Sequence, residues 1–495
     1  MTTTCSTRLL PAALALISLV QTLNSGLAAH AASSMPGMPG MPGLGMPQAG
    51  QTPKEPYAIS GTTIDPAPPQ LRKDLRLEFN VYGDPTESQP PLSLPDLQKL
   101  AAENNPTLTQ ARAQVQGELG KAKQAGLYMN PSLGYAGDLL GLPAAGAGEW
   151  QGAVVEQEII LGGKLKLSRQ KYLARVEAAK QQEKAQSFKV SNDVQLNYYR
   201  VLGAVQRLKM QHELWKSIHD HWLTVGEMSN LGQANEADRH MANATQEEQR
   251  LNVLESENEL MYAWENLMAV VGSNIPYRRL DGELDGTAQI IGWQRIVDRL
   301  INDSPQMGEA RAKLHSDEIT LKRELRQKIP NLVVSGGAGY DQLDKGFAAR
   351  ANAALVNIPL FDRNQGTVQQ ARADLDRQKA QVKLVELQLR RKLAHLYREY
   401  ITAIQHVQAY KQMILPELQA RYSTMLKSYK DTRADWPAVL ETQRDFFEKR
   451  LAFIHYLETW REHEVLLNGF LLTGALDAPE GITPPGHIDA TPKPR

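Results

Sequence analysis

The sequence repeats itself once, at a constant offset of about 199 residues that holds without a gap over most of each copy. The matched pairs include Asn105 and Ser304, Pro106 and Pro305, Ala111 and Ala310, Tyr198 and Tyr397, and Gln206 and Gln405. A register kept over such a length is typical of an internal duplication. We therefore predict two copies of one structural unit, in residues 93–275 and 290–475.

Each copy contains a segment that alternates between apolar and polar residues. In the second copy this alternation runs from Leu332 to Tyr340 and again from Phe347 to Leu355. A period of two predicts strands with one apolar and one polar face. The matching segments of the first copy, 132–140 and 149–161, alternate less clearly. Four strands of this kind suit a membrane β-barrel, but a barrel needs about eight strands, so the chain is predicted to oligomerise.

Helices surround each predicted strand pair. One helix precedes each pair, at 94–127 and 293–327, and a proline-free stretch from Lys164 to Asn274 follows the first. Apolar residues recur there at spacings of four and three. They are Val194, Tyr198, Val201, Val205, Leu208, Trp215 and Trp222, matched by Leu393, Tyr397, Tyr400, Ile404, Val407, Ile414 and Leu418. This spacing predicts coiled-coil packing. A helix from 164 to 230 would be roughly 100 Å long. With the helix that follows it, it would form a hairpin far longer than a globular core requires.

The first 31 residues are predicted to be a secretory signal peptide. Arg8 is followed by an apolar run from Leu9 to Val20, and Ala29 and Ala31 provide a small-residue cleavage site. Cys5 precedes the apolar run, so it cannot be the lipidated first residue of a mature lipoprotein. Cleavage would leave no cysteine, which excludes disulfides and thiolate metal sites.

Residues 32–92 are rich in methionine, proline and glycine, and we predict a disordered tether there. Residues 476–495 are predicted to be a disordered C-terminal tail. The tether methionines considered as metal ligands are Met35, Met38, Met41 and Met46. Thioethers are soft ligands that suit Cu(I) or Ag(I), so the tether is either a plain linker or a metal-capturing segment.

Composition and motifs exclude several classes of function. The net charge is zero, so no global field indicates nucleic-acid binding. No phosphate-binding loop, nucleophile–base pattern or paired catalytic acids are found, so we expect neither an enzyme nor a cofactor. His212, His219 and His221 lie close together, and two hypotheses stay open for them: a Zn, Ni or Cu site, or polar positions in the coiled-coil seam.

Several short segments resemble the TolC-like outer-membrane efflux family, in particular its CzcC-like heavy-metal branch. Residues 94–106 are similar to the opening helix of that family, and residues 156–164 to its first strand-to-helix junction. Residues 358–361 resemble the second junction. Residues 231–234, together with Asp238, resemble the turn at a hairpin tip. The resemblance covers most of the two copies, and the order and spacing of the segments are its most specific features.

The resemblance implies a mostly α-helical fold with membrane β-strands. Its expected form is a homotrimer with a twelve-stranded barrel in the outer membrane and a periplasmic helical tunnel. The implied partners are a periplasmic adaptor, an inner-membrane pump of the RND type and outer-membrane lipid. The implied function is a passive exit duct for heavy-metal cations, either Cu and Ag or Co, Zn, Cd and Ni. Drug efflux, type I secretion and a periplasmic coiled-coil scaffold without a barrel stay open as alternatives.

The candidate site residues follow from the same segments. The gate candidates are Asp435 and Glu441, and the strand-to-helix junctions are Gly162, Gly163 and Pro359. The expected adaptor contacts are Leu231, Gly232, Ala234, Asp238, Thr432 and Ala434. The second tip departs from the family pattern, because Thr432 stands where a glycine is expected and Ala438 where an aspartate is expected. Two hypotheses stay open for Asp435 and Glu441. A carboxylate at the tip would form a ring of charge in a symmetric oligomer, as pore constrictions commonly do, or it is a solvated charge at a helix end.

Overall fold

The structure, a computed structural model, describes residues 90–138, 150–286, 290–342, 344–481 and 487. The predicted signal peptide, the tether with Met35, Met38, Met41 and Met46, and most of the predicted tail lie outside the described residues.

The described chain follows the same order of elements twice. In the first copy the elements are α1 (Leu94–Asn104), α2 (Pro106–Ala125), β1 (Ser132–Gly137), β2 (Trp150–Ile159), α3 (Lys164–Asn230) and α4 (Glu236–Val271). In the second copy they are α5 (Trp293–Asp303), α6 (Pro305–Arg326), β3 (Asn331–Asp341), β4 (Gly346–Val356), α7 (Gln365–Ala409), a π-helical turn (Tyr410–Ile414), α8 (Leu415–Lys430) and α9 (Trp436–Asn468). The predicted strand pairs and the helix from 164 to 230 are confirmed.

The opening helix of each copy is broken, which corrects the prediction of single helices at 94–127 and 293–327. Asn105 and Ser304 have extended backbones with ψ of 121° and 138°. Each precedes a proline, and the proline ring disfavours helical geometry in the residue before it. The side chain of each residue then accepts a hydrogen bond from the backbone N–H two or three residues later, so each caps the helix that follows.

The four strands form one antiparallel sheet in the order β1-β2-β3-β4. The two copies meet within it at the β2–β3 pair, where Glu156 lies opposite Ser335. On the next strand Ser335 lies opposite Asn352. Because alternate residues of a strand face opposite sides, these three polar residues share one face of the sheet.

The two helical hairpins are α3–α4 and α7–α9. The main core lies between them, toward the ends of the hairpins that are opposite their tips. Val194, Val201 and Leu393 are fully buried there, as the seam predicts. Val205 is 38 % exposed, and the neighbouring Ala204 is buried in its place. An α-helix has 3.6 residues per turn, so a seam of 3.5 drifts around a straight helix, and the predicted seam is wrong at this position.

The segment that joins the two copies, residues 274–286, packs across both hairpins. Leu284 is fully buried. The hydroxyl of Tyr198 in α3 donates to the carbonyl of Asp281, and Arg461 of α9 donates to the carbonyl of Leu284 at 2.9 Å. The segment therefore connects the first hairpin to the second through backbone carbonyls, which the sequence pattern did not indicate.

Two residues near the ends of the described chain also make contacts with the rest of the fold. The backbone N–H of Leu92, at the end of the predicted tether, donates to the carbonyl of Arg279 at 2.9 Å. His487, in the predicted tail, is buried with its Nε2 3.1 Å from a carboxylate oxygen of Asp317 and 3.9 Å from one of Asp374. At His487 the structure differs from a disordered tail, because the imidazole packs between two carboxylates of α6 and α7.

No helix in the described part of the chain combines the length and the apolar character needed to cross a membrane.

Candidate functional site

The two hairpin tips have the same backbone geometry. Gly232 and Thr432 both lie in the left-handed region, with φ of 70° and 58°. At each tip the N–H of this residue donates to the carbonyl three residues earlier, at 3.1 Å and 2.9 Å. Thr432 therefore adopts the conformation of the glycine it replaces. A β-branched residue is strained there by an amount of order 1–3 kcal/mol.

The tips differ in how the returning helix is capped. At the first tip Asn235 and Asp238 form a reciprocal capping box, in which each side chain accepts the backbone N–H of the other residue. This contact explains the aspartate at position 238. At the second tip Asp435 occupies the N-cap position without a side-chain capping bond, and Ala438 cannot complete a box. The returning helix of the second tip therefore lacks the capping hydrogen bonds that stabilise the start of the returning helix at the first tip.

A cleft of about 950 Å³ lies between the two tips. It brings together five of the predicted gate and adaptor-contact residues, namely Ala234, Asp238, Ala434, Asp435 and Glu441. Leu231, Gly232 and Thr432 lie outside its lining. Leu231 is 73 % exposed, so its side chain is available at the extreme end of the first hairpin.

The cleft has an aromatic wall and an acidic lining. The ring of His221 stacks on Trp436 at 5.6 Å, and Tyr429 packs against the same tryptophan at 4.8 Å. Burial lowers the pKa of His221, so this imidazole is neutral at physiological pH. The carboxylates in the described lining are Asp238, Glu248, Asp435, Glu441 and Glu448, and its arginine is Arg444. The excess of carboxylates favours cations in the cleft.

The three clustered histidines do not form a common site. His219 stacks between Trp215 and Trp222 and contacts Gln246 at 2.9 Å. His221 faces Trp436 of the other hairpin instead. Within the described ranges, no group of three or more His, Cys, Asp or Glu residues could hold a metal ion. The structure therefore contradicts a metal site shared by His212, His219 and His221.

The first strand-to-helix junction is a glycine turn. Gly162 and Gly163 have φ of 73° and 68°, which glycine adopts without steric cost. A Cβ on Gly162 would lie 2.7 Å from the side chain of Ile329. Lys164 then opens α3 and donates to the side chain of Asn331 at 2.7 Å. The turn thus fixes the direction of the long helix relative to β3.

The second junction uses asparagines where the first uses glycines. Asn357 and Asn364 have φ of 59° and 60°, a conformation that asparagine tolerates better than most residues. Asn364 donates to the carboxylate of Glu324 at 2.8 Å, which ties the junction to α6. Pro359 lies three residues beyond the end of β4, so it belongs to the turn and not to the last part of the strand.

The two hairpins are joined along α3 and α9 by polar pairs. Arg207 of α3 contacts Glu458 of α9 at 2.5 Å and Glu259 of α4 at 2.8 Å. Nearer the sheet, Arg200 contacts Glu462 at 2.7 Å. Sequence reasoning missed these pairs, since a charge on a helix is usually solvated. The one available signal was Gly203, a glycine inside a proline-free helix. A Cβ at that position would lie 1.5 Å from a carboxylate oxygen of Glu458.

Comparison with known proteins agrees with this geometry. The model of the outer membrane efflux protein family matches the chain twice, at residues 97–273 and 296–471. The chain belongs to this family. The outer membrane efflux protein family is a family of transport proteins, which agrees with the expectation that the chain is not an enzyme.

Three relatives share 15–24 % of their residues with the chain. The cobalt-zinc-cadmium resistance protein CzcC of Cupriavidus metallidurans is 24 % identical over 385 residues, which is 75 % of this chain and 88 % of CzcC. A crystal structure of CusC, described as revealing changes that accompany folding and transmembrane channel formation, matches with a TM-score of 0.62 at 17 % identity and covers 80 % of this chain and 96 % of CusC. The outer membrane protein VceC of Vibrio cholerae matches with a TM-score of 0.63 at 15 % identity, covering 77 % and 96 %.

Proposed function

We propose that this chain is the outer-membrane channel subunit of a tripartite efflux system and acts as a homotrimer. The observation that carries the proposal is a four-stranded sheet joined to two long hairpins, in which β1 and β4 pair on one side only within the described part of the chain. Three chains would supply twelve strands, enough to close a barrel around a lumen. The exposed apolar face would contact outer-membrane lipid, and the hairpins would form a periplasmic tunnel. Export by the signal peptide stays a prediction.

The proposed partners meet the channel at the hairpin tips. The exposed Leu231 and the cleft residues Ala234 and Ala434 offer small and apolar contacts for a periplasmic adaptor. The adaptor in turn would connect the channel to an inner-membrane pump, for which we propose the RND type. Gly232 and Thr432 have the same left-handed conformation, so both tips would offer an adaptor the same backbone turn.

We further propose heavy-metal cations as the cargo. The support is the likeness to a cobalt-zinc-cadmium resistance protein over most of the chain and the acidic cleft at the tips. A strain that lacks the gene is expected to lose tolerance to at least one of Co, Zn, Cd, Ni, Cu and Ag, and the full-length gene should restore it. The measurement is the minimal inhibitory concentration of each metal, with dyes, detergents and antibiotics as the control set. Unchanged metal tolerance with lost drug tolerance would assign the duct to drug efflux instead.

The carboxylates of the second tip are proposed to gate the channel. In a trimer, Asp435 and Glu441 would each form a ring of three charges at the tunnel end. Replacing both with alanine is expected to raise single-channel conductance, because the smaller side chains widen the constriction. It should also weaken block by multivalent cations added on the tip side, because fewer charges attract and hold the blocker. Planar-bilayer recordings measure both quantities. Glu417→Ala removes an exposed carboxylate of α8 outside the cleft and is the matched control. Identical block in the double variant and the control would refute the gate.

A further inference from the structure

The two faces of the sheet differ in chemistry. One face carries large exposed apolar side chains, among them Leu133, Tyr135, Val155, Phe347 and Leu355, the phenylalanine being 91 % exposed. The other face carries Glu156, Asn352 and Arg350, which the register of the sheet places on the same side. In a membrane barrel the apolar face contacts lipid and the polar face lines the lumen.

A tryptophan lies flat on the polar face. Trp150, the first residue of β2, is 1 % exposed, and its indole N–H donates to the carbonyl of Ala348 in β4 at 3.3 Å. To reach β4 the ring must cross β3, and it does so over glycines. A Cβ on Gly152 would lie 2.7 Å from the ring, and a Cβ on Gly337 would lie 3.3 Å from it. The glycines therefore leave the space that the ring fills.

An arginine is held on this ring. The guanidinium of Arg350 lies 4.8 Å from the centre of the Trp150 ring, within the range of a cation–π contact. The same guanidinium pairs with the carboxylate of Asp138, which directly follows β1. Neighbouring strands are about 4.8 Å apart, so β1 and β4 lie three spacings from each other in a flat sheet. A direct contact between them requires that the sheet curls toward its polar face.

We propose that Trp150, Arg350 and Asp138 form a side-chain constriction of the lumen and set its ion preference. These three residues, here called the outer clasp, lie in the half of the sheet away from the helices. The inference rests on the proposed channel function. Trp150 fixes the position of the guanidinium, and Asp138 neutralises it across the concave face. The ion pair is exposed, at 43 % for Arg350 and 52 % for Asp138, so it separates at low cost. The clasp therefore narrows the path without sealing it.

The test uses the purified full-length oligomer in planar lipid bilayers, with reversal potential measured under a KCl gradient. Arg350→Gln is expected to shift the reversal potential toward cation preference, because Asp138 is left unpaired. It should also raise conductance by about twofold in 0.1 M KCl, and the gain should shrink in 1 M KCl, where the Debye length falls to about 3 Å. Asp138→Asn is expected to shift the reversal potential in the opposite direction, toward anions.

The matched control is Asn352→Ala, which changes a neutral side chain two residues away on the same face of β4. Migration of unheated oligomers on gels verifies that each variant assembles, and Asp138→Asn removes only an exposed charge, so it remains testable if Arg350→Gln fails to assemble. Wild-type reversal potentials in both charge variants, in pores that otherwise conduct, would overturn the outer clasp and leave the channel function intact. Failure of the wild-type protein to form pores would overturn the channel function itself.

Discussion

Replacing Trp460 with alanine is expected to lower the free energy of unfolding by about 3–5 kcal/mol, the range found for removal of a fully buried large aromatic side chain. Trp460 is 0 % exposed on α9 and belongs to a core that also contains Leu97, Trp264 and Tyr400. These residues come from both copies of the repeat. The cavity left by the indole would therefore loosen the contact between the two hairpins. Thermal unfolding followed by circular dichroism at the helical band measures the loss.

Trp293→Ala is the matched control for this substitution. Trp293 opens α5, is 38 % exposed and packs edge-on against Tyr397 at 5.2 Å. Removing a partly exposed ring leaves less of a cavity, so we expect a loss of about 1 kcal/mol. Equal losses for the two variants would show that the core at Trp460 collapses around the missing ring and that the hairpins do not depend on it.

The elements that could be predicted from the sequence are those in which apolar residues recur at a regular spacing. Alternation from Leu332 to Tyr340 can be satisfied by a strand but not by a helix, and β3 is found there. The long proline-free stretch similarly left α3 no place to break before Leu231. The break at Asn105 was missed because apolar residues continue across it. There a local steric rule, the restriction that Pro106 places on its neighbour, prevails over the periodic pattern.

The parts of the site that the sequence did not predict depend on contacts between distant segments. Thr432 departs from the glycine of the family pattern, yet the turn is the same. The backbone hydrogen bonds of the turn and the packing of the two helices outweigh the strain of one residue. Trp436 was not singled out, although it forms a wall of the cleft with His221. Trp150 was hidden for the same reason, since its partners Ala348 and Arg350 lie about 200 residues away in the other copy.

Glu458 is a buried carboxylate between the two hairpins. One of its oxygens pairs with Arg207, while the other is buried against Gly203 and finds no hydrogen-bond partner in the described structure. Burial raises the pKa of Glu458 from 4.5 to about 7, against the opposing effect of Arg207, and the like charges of Glu259 and Glu462 raise it further. In the folded protein the carboxyl group is therefore mostly protonated below about pH 7, whereas in the unfolded chain it ionises near pH 4.5.

Stability should consequently fall as pH rises from about 4.5 to about 7, because the folded state binds a proton at Glu458 that the unfolded state has released. Glu458→Gln mimics the protonated group. It is expected to leave stability unchanged at pH 4 and to raise it at pH 8 by about 3 kcal/mol at most, since each pKa unit corresponds to about 1.4 kcal/mol. Unfolding midpoints across this pH range measure the effect. Glu177→Gln, which alters an exposed carboxylate of α3 that pairs with Lys180 and not with this cluster, should retain the wild-type pH dependence. If Glu458→Gln keeps the wild-type dependence of stability on pH, then Glu458 is ionised in the folded protein. In that case the attraction of Arg207 fully offsets the cost of burying the charged carboxylate.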